Sequence, residues 1–462
     1  MGKRALHPID MPHDDLASFT GFDEKMRARL TERVAQAYAA GRWRSSEDIL
    51  FNPRDPEFIA YWAQKCRDPI TEPMKGSGLE NHFRPFRQTR FDLAPQGFRS
   101  MRSWRLSAVG DLMPARHVAE SEGRLYRNVA ELIFGADCAY ANLECTVVPD
   151  ELRQAGDFRV GETPIMNVLE KEYRALTRHD GHRFDVLQLA NNHVLDDGEE
   201  GIANTLAILA RDGITALGAY GSAQAAGRPN VTRLGDLAVG WVAHTFSVNE
   251  KPLPDGKPWM VDVTPFLVER APDYSRIISQ VDAARAAGCD IVIVCLHWGA
   301  EWEFFPLPVQ IDWAHAIADA GADAIIGTHP HVIQPVEIYR PESDRRRRVP
   351  ILYSLGNLTP TMGADYTTLS LVANLTLSRG RSDGTDRALV TALDLTPVAF
   401  MGEVEGGRHY AACVALRDVV TGEHDPETRA YTEGLSRYAD LVLGPGWRSG
   451  PAAANALAAE AG

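Results

Sequence analysis

Six residues of metal-binding type, Asp111, Glu144, Asn192, His297, His329 and His331, each stand just beyond a short apolar run. That placement carries weight, because open α/β sheets bind ligands beyond the carboxyl ends of their strands. Carboxylate, amide oxygen and imidazole together suit Mn, Fe or Zn, and the lack of thiolates in the set speaks against a structural zinc. Taken singly, a Gly-Asp pair after a strand is commonly only a turn. The segment Thr328-His329-Pro330-His331 is more specific, since two imidazoles at i and i+2 on a tight Pro-containing stretch can face one cavity.

Strands must deliver these residues. The run 106–109 stops at Gly110-Asp111, 138–141 at Asn142-Leu143-Glu144, 184–190 at Asn191-Asn192-His193, and 291–296 at His297-Trp298-Gly299. Helical patterns alternate with them over 199–211, 274–287 and 308–320, which reads as a layered α/β fold. Residues 324–327 lead into the paired imidazoles, and 332–338 and 351–354 supply further strands, the last meeting Leu355-Gly356-Asn357. Beyond residue 360 the period becomes two. Leu369, Leu371, Ala373, Leu375 and Leu377 alternate with Ser370, Val372, Asn374 and Thr376, which predicts an antiparallel strand with one wet face. Residues 389–395 repeat the pattern, and a helix is predicted around 427–443. Ahead of all this, helices are predicted at 23–40 and 56–67, followed by an Arg- and Phe-rich stretch from His82 to Arg105.

The chain has 462 residues, 45% hydrophobic and 24% charged, enough for a sizeable core. Its net charge of -14 argues against nucleic acid as a partner, which calls for clustered Lys and Arg. The one basic run, Arg345 to Arg348, reads as an exposed loop between strands. Six cysteines without a C-x-x-C pair read as reduced thiols. No stretch reaches transmembrane length, and the first fifteen residues lack the apolar core of a signal peptide, so the expected location is cytoplasmic.

In order, GDLMPAR (110–116), NLE (142–144), LANNHVLDDGEEG (189–201), VIVCLHWGAEWE (292–303), GTHPHVIQPVE (327–337) and YSLGN (353–357) resemble the successive motifs of CapA-like proteins. That poly-γ-glutamate capsule biosynthesis group is similar to calcineurin-like metallophosphoesterases. The resemblance implies a four-layer α/β fold, a metallophosphoesterase-like β-sandwich flanked by helices, over residues 105–360. Residues 1–104 would then be a helical and irregular extension, 361–449 strands and a helix completing the domain, and 450–462 a disordered tail.

It also implies one or two divalent metal ions (Mn, Fe or Zn). Asp111 would hold the first, Glu144 would bridge, Asn192, His297 and His329 would complete the second, and His331 would return to the first. Two positions depart from the phosphoesterase pattern: Leu112 and Met113 follow Asp111 where Asp-x-His is usual, and Glu144 replaces the bridging Asp. The implied chemistry is hydrolysis, with two ions about 3.5 to 4 Å apart lowering the pKa of a shared water from 15.7 toward roughly 7. His193 would donate a proton with Asp196 orienting it, Arg116 would contact an anionic substrate, and Glu301 and Asn357 would border the pocket. The substrate expected is an anionic small molecule carrying a phosphoester, or a glutamyl or peptide-like amide. The alternative is a non-catalytic accessory protein of polymer biosynthesis.

Overall fold

Seven consecutive buried residues, Ile291–His297, mark a strand covered on both faces, as parallel sheets require. In the computed structural model, which describes residues 5–9, 24–153, 165–249 and 251–449, this strand lies in the smaller of two principal sheets. The larger sheet takes β1 (Ala5–His7), β2 (Arg99–Leu112), β3 (Cys138–Leu143), β4 (Val186–Gln188) and β5 (Thr215–Leu217). The smaller takes β6 (Asn230–Leu234), β7 (Leu237–Thr245), β8 (Ile291–His297), β9 (Ala324–Thr328), β10 (Val336–Tyr339) and β11 (Val349–Leu352). The chain then returns to the larger sheet with β12 (Asn357–Thr359), β13 (Leu369–Ser382), β14 (Thr385–Glu405) and β15 (Arg408–Ala415). Strand order is β1-β14-β13-β2-β3-β4-β5 in one sheet and β6-β7-β8-β9-β11-β10 in the other.

The sheets meet face to face through one apolar core in which Leu106, Ala108, Tyr140 and Val186 join Val239, Trp241, Ile293 and Cys295. Across that interface the rings of Tyr140 and Trp241 stack at 5.6 Å. Helix α3 (Gly198–Arg211) buries Ile202 and Leu209 against the outer face of the larger sheet. On the smaller sheet, α4 (Ser275–Ala286) contributes Ile277, Val281 and Ala284 to the core, and α5 (Pro308–Asp319) contributes Ile311, Trp313 and Ile317. Helix, sheet, sheet, helix is the four-layer α/β order expected.

A side-chain cap sets the start of the second N-terminal helix. Helix α1 (Glu24–Ala39) precedes α2 (Pro56–Lys65), whose N-cap Asp55 accepts the Glu57 N–H at 2.9 Å while Pro56 pre-sets the first turn. Leu30, Ala37, Trp43, Ala60, Tyr61 and Ile70 make a small core of their own. At the other end α6 (Pro426–Leu443) repeats the device, with Asp425 accepting from Thr428 N at 2.9 Å.

One expectation is met only in part. Strand β13 alternates as predicted, and Asn374 and Thr376 on its second face are half-buried, but Ser370 and Val372 are buried, Val372 packing with Val398 and Phe400. The basic run lies between strands as predicted, with Arg345 and Arg346 exposed and Arg347 and Arg348 half-buried, and three of its side chains are also paired. Arg347 binds Asp323 at 3.2 Å, Arg348 donates to the Asp92 carbonyl at 2.9 Å, and Arg346 pairs with Asp383 at 3.0 Å. The stretch from residue 450, predicted to be disordered, lies outside the described residues.

Glu337 on β10 ties three elements together. It meets His315 at 2.7 Å, His82 at 3.3 Å and the Tyr353 hydroxyl at 2.9 Å. Burial opposes its ionisation, but His315 and His82 outweigh that and hold the carboxyl down at about 2. A depressed folded-state pKa stabilises above the ordinary value and is lost as pH falls toward the folded one. Denaturant titrations at pH 7 and pH 3 should therefore show wild type losing on the order of 2–3 kcal/mol more than Glu337→Gln.

Candidate functional site

Register places the site. In the larger sheet Asn357 aligns with Asp111, Asp111 with Asn142 and Asn142 with Gln188. In the smaller, Thr245 aligns with His297 and His297 with Thr328. Polar residues thus form one row at the carboxyl end of each sheet. Close strand approach there depends on glycine. A Cβ at Gly110 would stand 1.8 Å from the Gly356 carbonyl oxygen, and one at Gly327 would stand 2.0 Å from that of Tyr353.

The two rows converge on a buried cluster. Ligand atoms of Glu144, His329 and His331 lie within 4.8 Å of one another, and so do those of Asp111, Glu144 and His297. Glu144 is common to both groups, as a bridging residue would be. The division between groups differs from the one the resemblance implies, since His329 falls with His331 and Asp111 with His297. Asn192 joins through its Oδ1, 2.8 Å from His297 Nε2, while its amide N–H donates to Asn249 Oδ1 at 3.1 Å.

Each group is oriented from behind. Asp111 accepts from Asn142 Nδ2 at 2.7 Å and from the His329 N–H at 3.3 Å. His297 Nδ1 faces Thr328 Oγ1 at 3.0 Å and Asn142 Nδ2 at 3.2 Å, which turns Nε2 toward Glu144, 3.5 Å away. Asn357 donates to the His331 and Thr367 carbonyls, so its Oδ1 accepts from His331 Nδ1 at 2.9 Å. This leaves His331 Nε2 facing Glu144 at 3.9 Å and Glu301 at 3.8 Å. His329 and His331 adopt left-handed backbone, with φ of 97° and 56°. Such conformations cost about 1–3 kcal/mol each and persist only where surroundings over-determine them.

The electrostatics are those of a site short of positive charge. Both oxygens of Glu144 and Nδ1 of His329 are buried without any hydrogen-bond partner among the described residues. Burial and the nearby Glu144 push Asp111 up. Burial works in the same sense on Glu144, but His297 and His331 outweigh it and hold that carboxyl at about 2. His331, despite its burial, is raised to about 10 by Glu144 and Asp111. Burial, with His297 and His331 beside it, lowers His329 far below its ordinary value, which leaves the neutral imidazole that ligates metals. Two orphaned carboxylate oxygens next to an orphaned imidazole nitrogen fit a divalent cation by donor type and by burial.

Beside the cluster, His193 Nδ1 lies 2.7 Å from Asp196 Oδ2, which also accepts the Met166 N–H at 2.6 Å. Lys251 reaches Asp196 Oδ1 at 2.7 Å. Burial opposes protonation of His193, and Asp196 overcomes it, so this histidine is raised. Ten of the eleven predicted site residues are accounted for in or against this assembly. Arg116 is the exception: it is exposed on the loop leaving Asp111. Asn357 sits behind the His331 ring rather than in an open pocket.

Sequence reasoning passed over Asn142, Thr328, Asn249 and Lys251, as well as Phe246, whose ring lies 4.3 Å from that of His329. Asn142 had a signal, because it opens the NLE motif at a strand end. The loop residues Asn249 and Lys251 had none.

Fold and site together define a two-sheet α/β protein with a buried carboxylate–imidazole cluster able to hold a metal ion. Residues 105–361 match the family described as bacterial capsule synthesis protein PGA_cap, more than half of the chain, and the chain belongs to that family. It is 28% identical over 295 residues to the PGA biosynthesis protein CapA of Bacillus subtilis (strain 168), covering 63% of this chain and 71% of that one. The capsule biosynthesis protein CapA of Bacillus anthracis is 27% identical over 318 residues, 66% of this chain and 70% of that one. A probable polyglutamine synthesis accessory protein of Mycobacterium tuberculosis is 32% identical over 229 residues, 48% and 55% of the two chains. Among the described residues no helix is long and apolar enough to cross a membrane.

Gly327→Ala should displace the Thr328–His331 turn, because the obstructing atom is backbone. Thermal unfolding should report a loss of about 1–3 kcal/mol, the usual cost of overpacking.

Proposed function

We propose that this chain is a metal-dependent hydrolase whose substrate is a glutamyl amide or a phosphoester. The observation that carries the reading is Glu144, both of whose oxygens are buried without a hydrogen-bond partner among the described residues and which is shared between the His329–His331 pair and the Asp111–His297 pair. Asp111, Glu144, Asn192, His297, His329 and His331 would hold one or two divalent ions, with Mn, Fe or Zn as candidates. When bound, such ions supply Lewis acidity and a water made acidic near neutral pH.

The chain's own residues would do the rest. Asp196 engages His193 at Nδ1, which leaves Nε2 as the nitrogen that transfers a proton to the leaving group. Lys251 and the Met166 N–H hold Asp196 in place, so the imidazole cannot swing away. Glu301, partly exposed at 17%, stands at the open side of the cluster. Arg116, exposed on the loop after Asp111, is proposed as the first contact for an anionic substrate. The relatives named for PGA and polyglutamine synthesis favour a glutamyl compound over a phosphoester. The accessory role named for the Mycobacterium tuberculosis relative supports the second reading, a non-catalytic partner in polymer synthesis.

Elemental analysis of protein purified without chelator should find divalent metal. His329→Ala and Glu144→Ala should lower its retention by more than the roughly 10–100-fold that even outer-sphere changes cost. In assays with γ-glutamyl amides and aryl phosphates, His193→Ala should keep its metal and lose about 10²–10⁴ in turnover. Metal-loaded wild type inert toward both substrate classes would favour the accessory reading instead.

A further inference from the structure

We infer that Glu301, which faces His331, is a further ligand of the cation held at His331, and that Trp62, on helix α2, holds it in place. This rests on the metal reading above. Helix α2, residues 56–65, lies outside the family-matched region 105–361, so the site would be finished by an element that region lacks.

The geometry is that of two carboxylates facing one nitrogen across a gap. His331 Nε2 stands 3.8 Å from Glu301 Oε1 and 3.9 Å from Glu144 Oε1. Both separations are too long for hydrogen bonds. Ligands about 2.1 Å from one ion lie roughly 3 Å apart when adjacent and up to about 4.2 Å apart when opposite, so each carboxylate is at a spacing from His331 that suits a shared cation. Asn357 engages the other ring nitrogen, which fixes Nε2 as the one that meets the carboxylates.

Trp62 supplies the aim. Its indole N–H donates to Glu301 Oε2, so Oε1 is the oxygen turned to His331, and its ring packs on Trp302 at 5.1 Å. Around it, Tyr61 and Lys65 of the same helix reach Glu303 Oε1 at 3.0 and 2.7 Å, the ion pair being almost wholly buried. The backbone adds a second clamp. Ile70 N donates to the Trp302 carbonyl at 2.9 Å, Phe304 N to that of Ile70 at 2.8 Å, and Trp302 N to that of Pro330 at 2.8 Å. Residues 301–304 are therefore pinned between the N-terminal segment and the turn that carries both imidazoles. Trp302 itself is held at a φ of 59°.

The full-length chain, stripped of metal and titrated with Mn²⁺, tests this by equilibrium dialysis with elemental analysis and by the metal-induced rise in Tm. Glu301→Gln and Trp62→Phe should each weaken Mn²⁺ binding by at least about tenfold, within the range that displaced outer partners cost. Trp447→Phe, whose indole binds Asp440 instead, should titrate as wild type. Wild-type affinity in Glu301→Gln, with binding lost in His329→Ala, overturns the inference and leaves the metal reading standing. Wild-type affinity in Trp62→Phe alone overturns the role of Trp62. A wild-type chain that takes up no Mn²⁺ overturns both the inference and the reading beneath it. Should Trp62→Phe fail to fold, Glu301→Gln, at a partly exposed position, decides the ligand assignment.

Discussion

An ionised carboxylate with no donor, enclosed by imidazoles, is the constraint around which the rest of this protein is arranged. Moving such a group out of water costs several kcal/mol even after relaxation, and proteins tolerate it only where opposite charge or a metal compensates. Glu144 meets that condition through position alone. It follows β3 at the shared edge of two sheets, where Asp111 comes from the neighbouring strand and three histidines arrive from the facing sheet. Local hydrogen bonds do not satisfy it; they go to the residues around it, which orients every neighbour and leaves the centre open to a cation.

Positioning of that kind has to be held against strain. Three residues near the cluster, His329, His331 and Trp302, occupy left-handed backbone without being glycine. Their conformations are secured by contacts from far away in sequence, including a strand that follows them and a helix that precedes the family-matched region by tens of residues. The N-terminal segment is therefore more than a covering layer. Its small core is connected to the edge that carries the cluster by a buried ion pair and a backbone bridge.

Much of this was legible in the sequence because apolar runs ending in polar residues are a one-dimensional record of strand ends. Asp111, Glu144, Asn192, His297 and the His329/His331 pair could be read that way, and helix α2 could be read from Asp55-Pro56. What escaped depends on contacts between distant residues. Nothing in the spacing of Trp62 and Glu301 announces their hydrogen bond, 239 positions apart. The second face of β13 looked wet throughout because Ser370, Asn374 and Thr376 are polar, and the packing of Val372 on Val398 and Phe400 closes its first part while Asn374 and Thr376 stay half-buried. Arg116, exposed on the loop after Asp111, stands apart from the buried cluster, which its motif alone did not announce. Periodicity reports which side of an element is apolar; it does not report what later covers the other side.

The path of the larger sheet has one more consequence. Strand β2, which carries Asp111, lies between β3 and β13, and β13 is followed by the 21-residue strand β14 that pairs in turn with β1 and β15. Some 260 residues of chain separate β2 from the neighbour that seals its other side. Until residue 369 has been made, β2 has an unpaired border opposite β3 over residues 99–108, which nothing near it in sequence closes. Completion of the sheet that carries Asp111 thus waits for β13, and a chain interrupted before residue 369 carries the ligands without the strand that covers that side of β2.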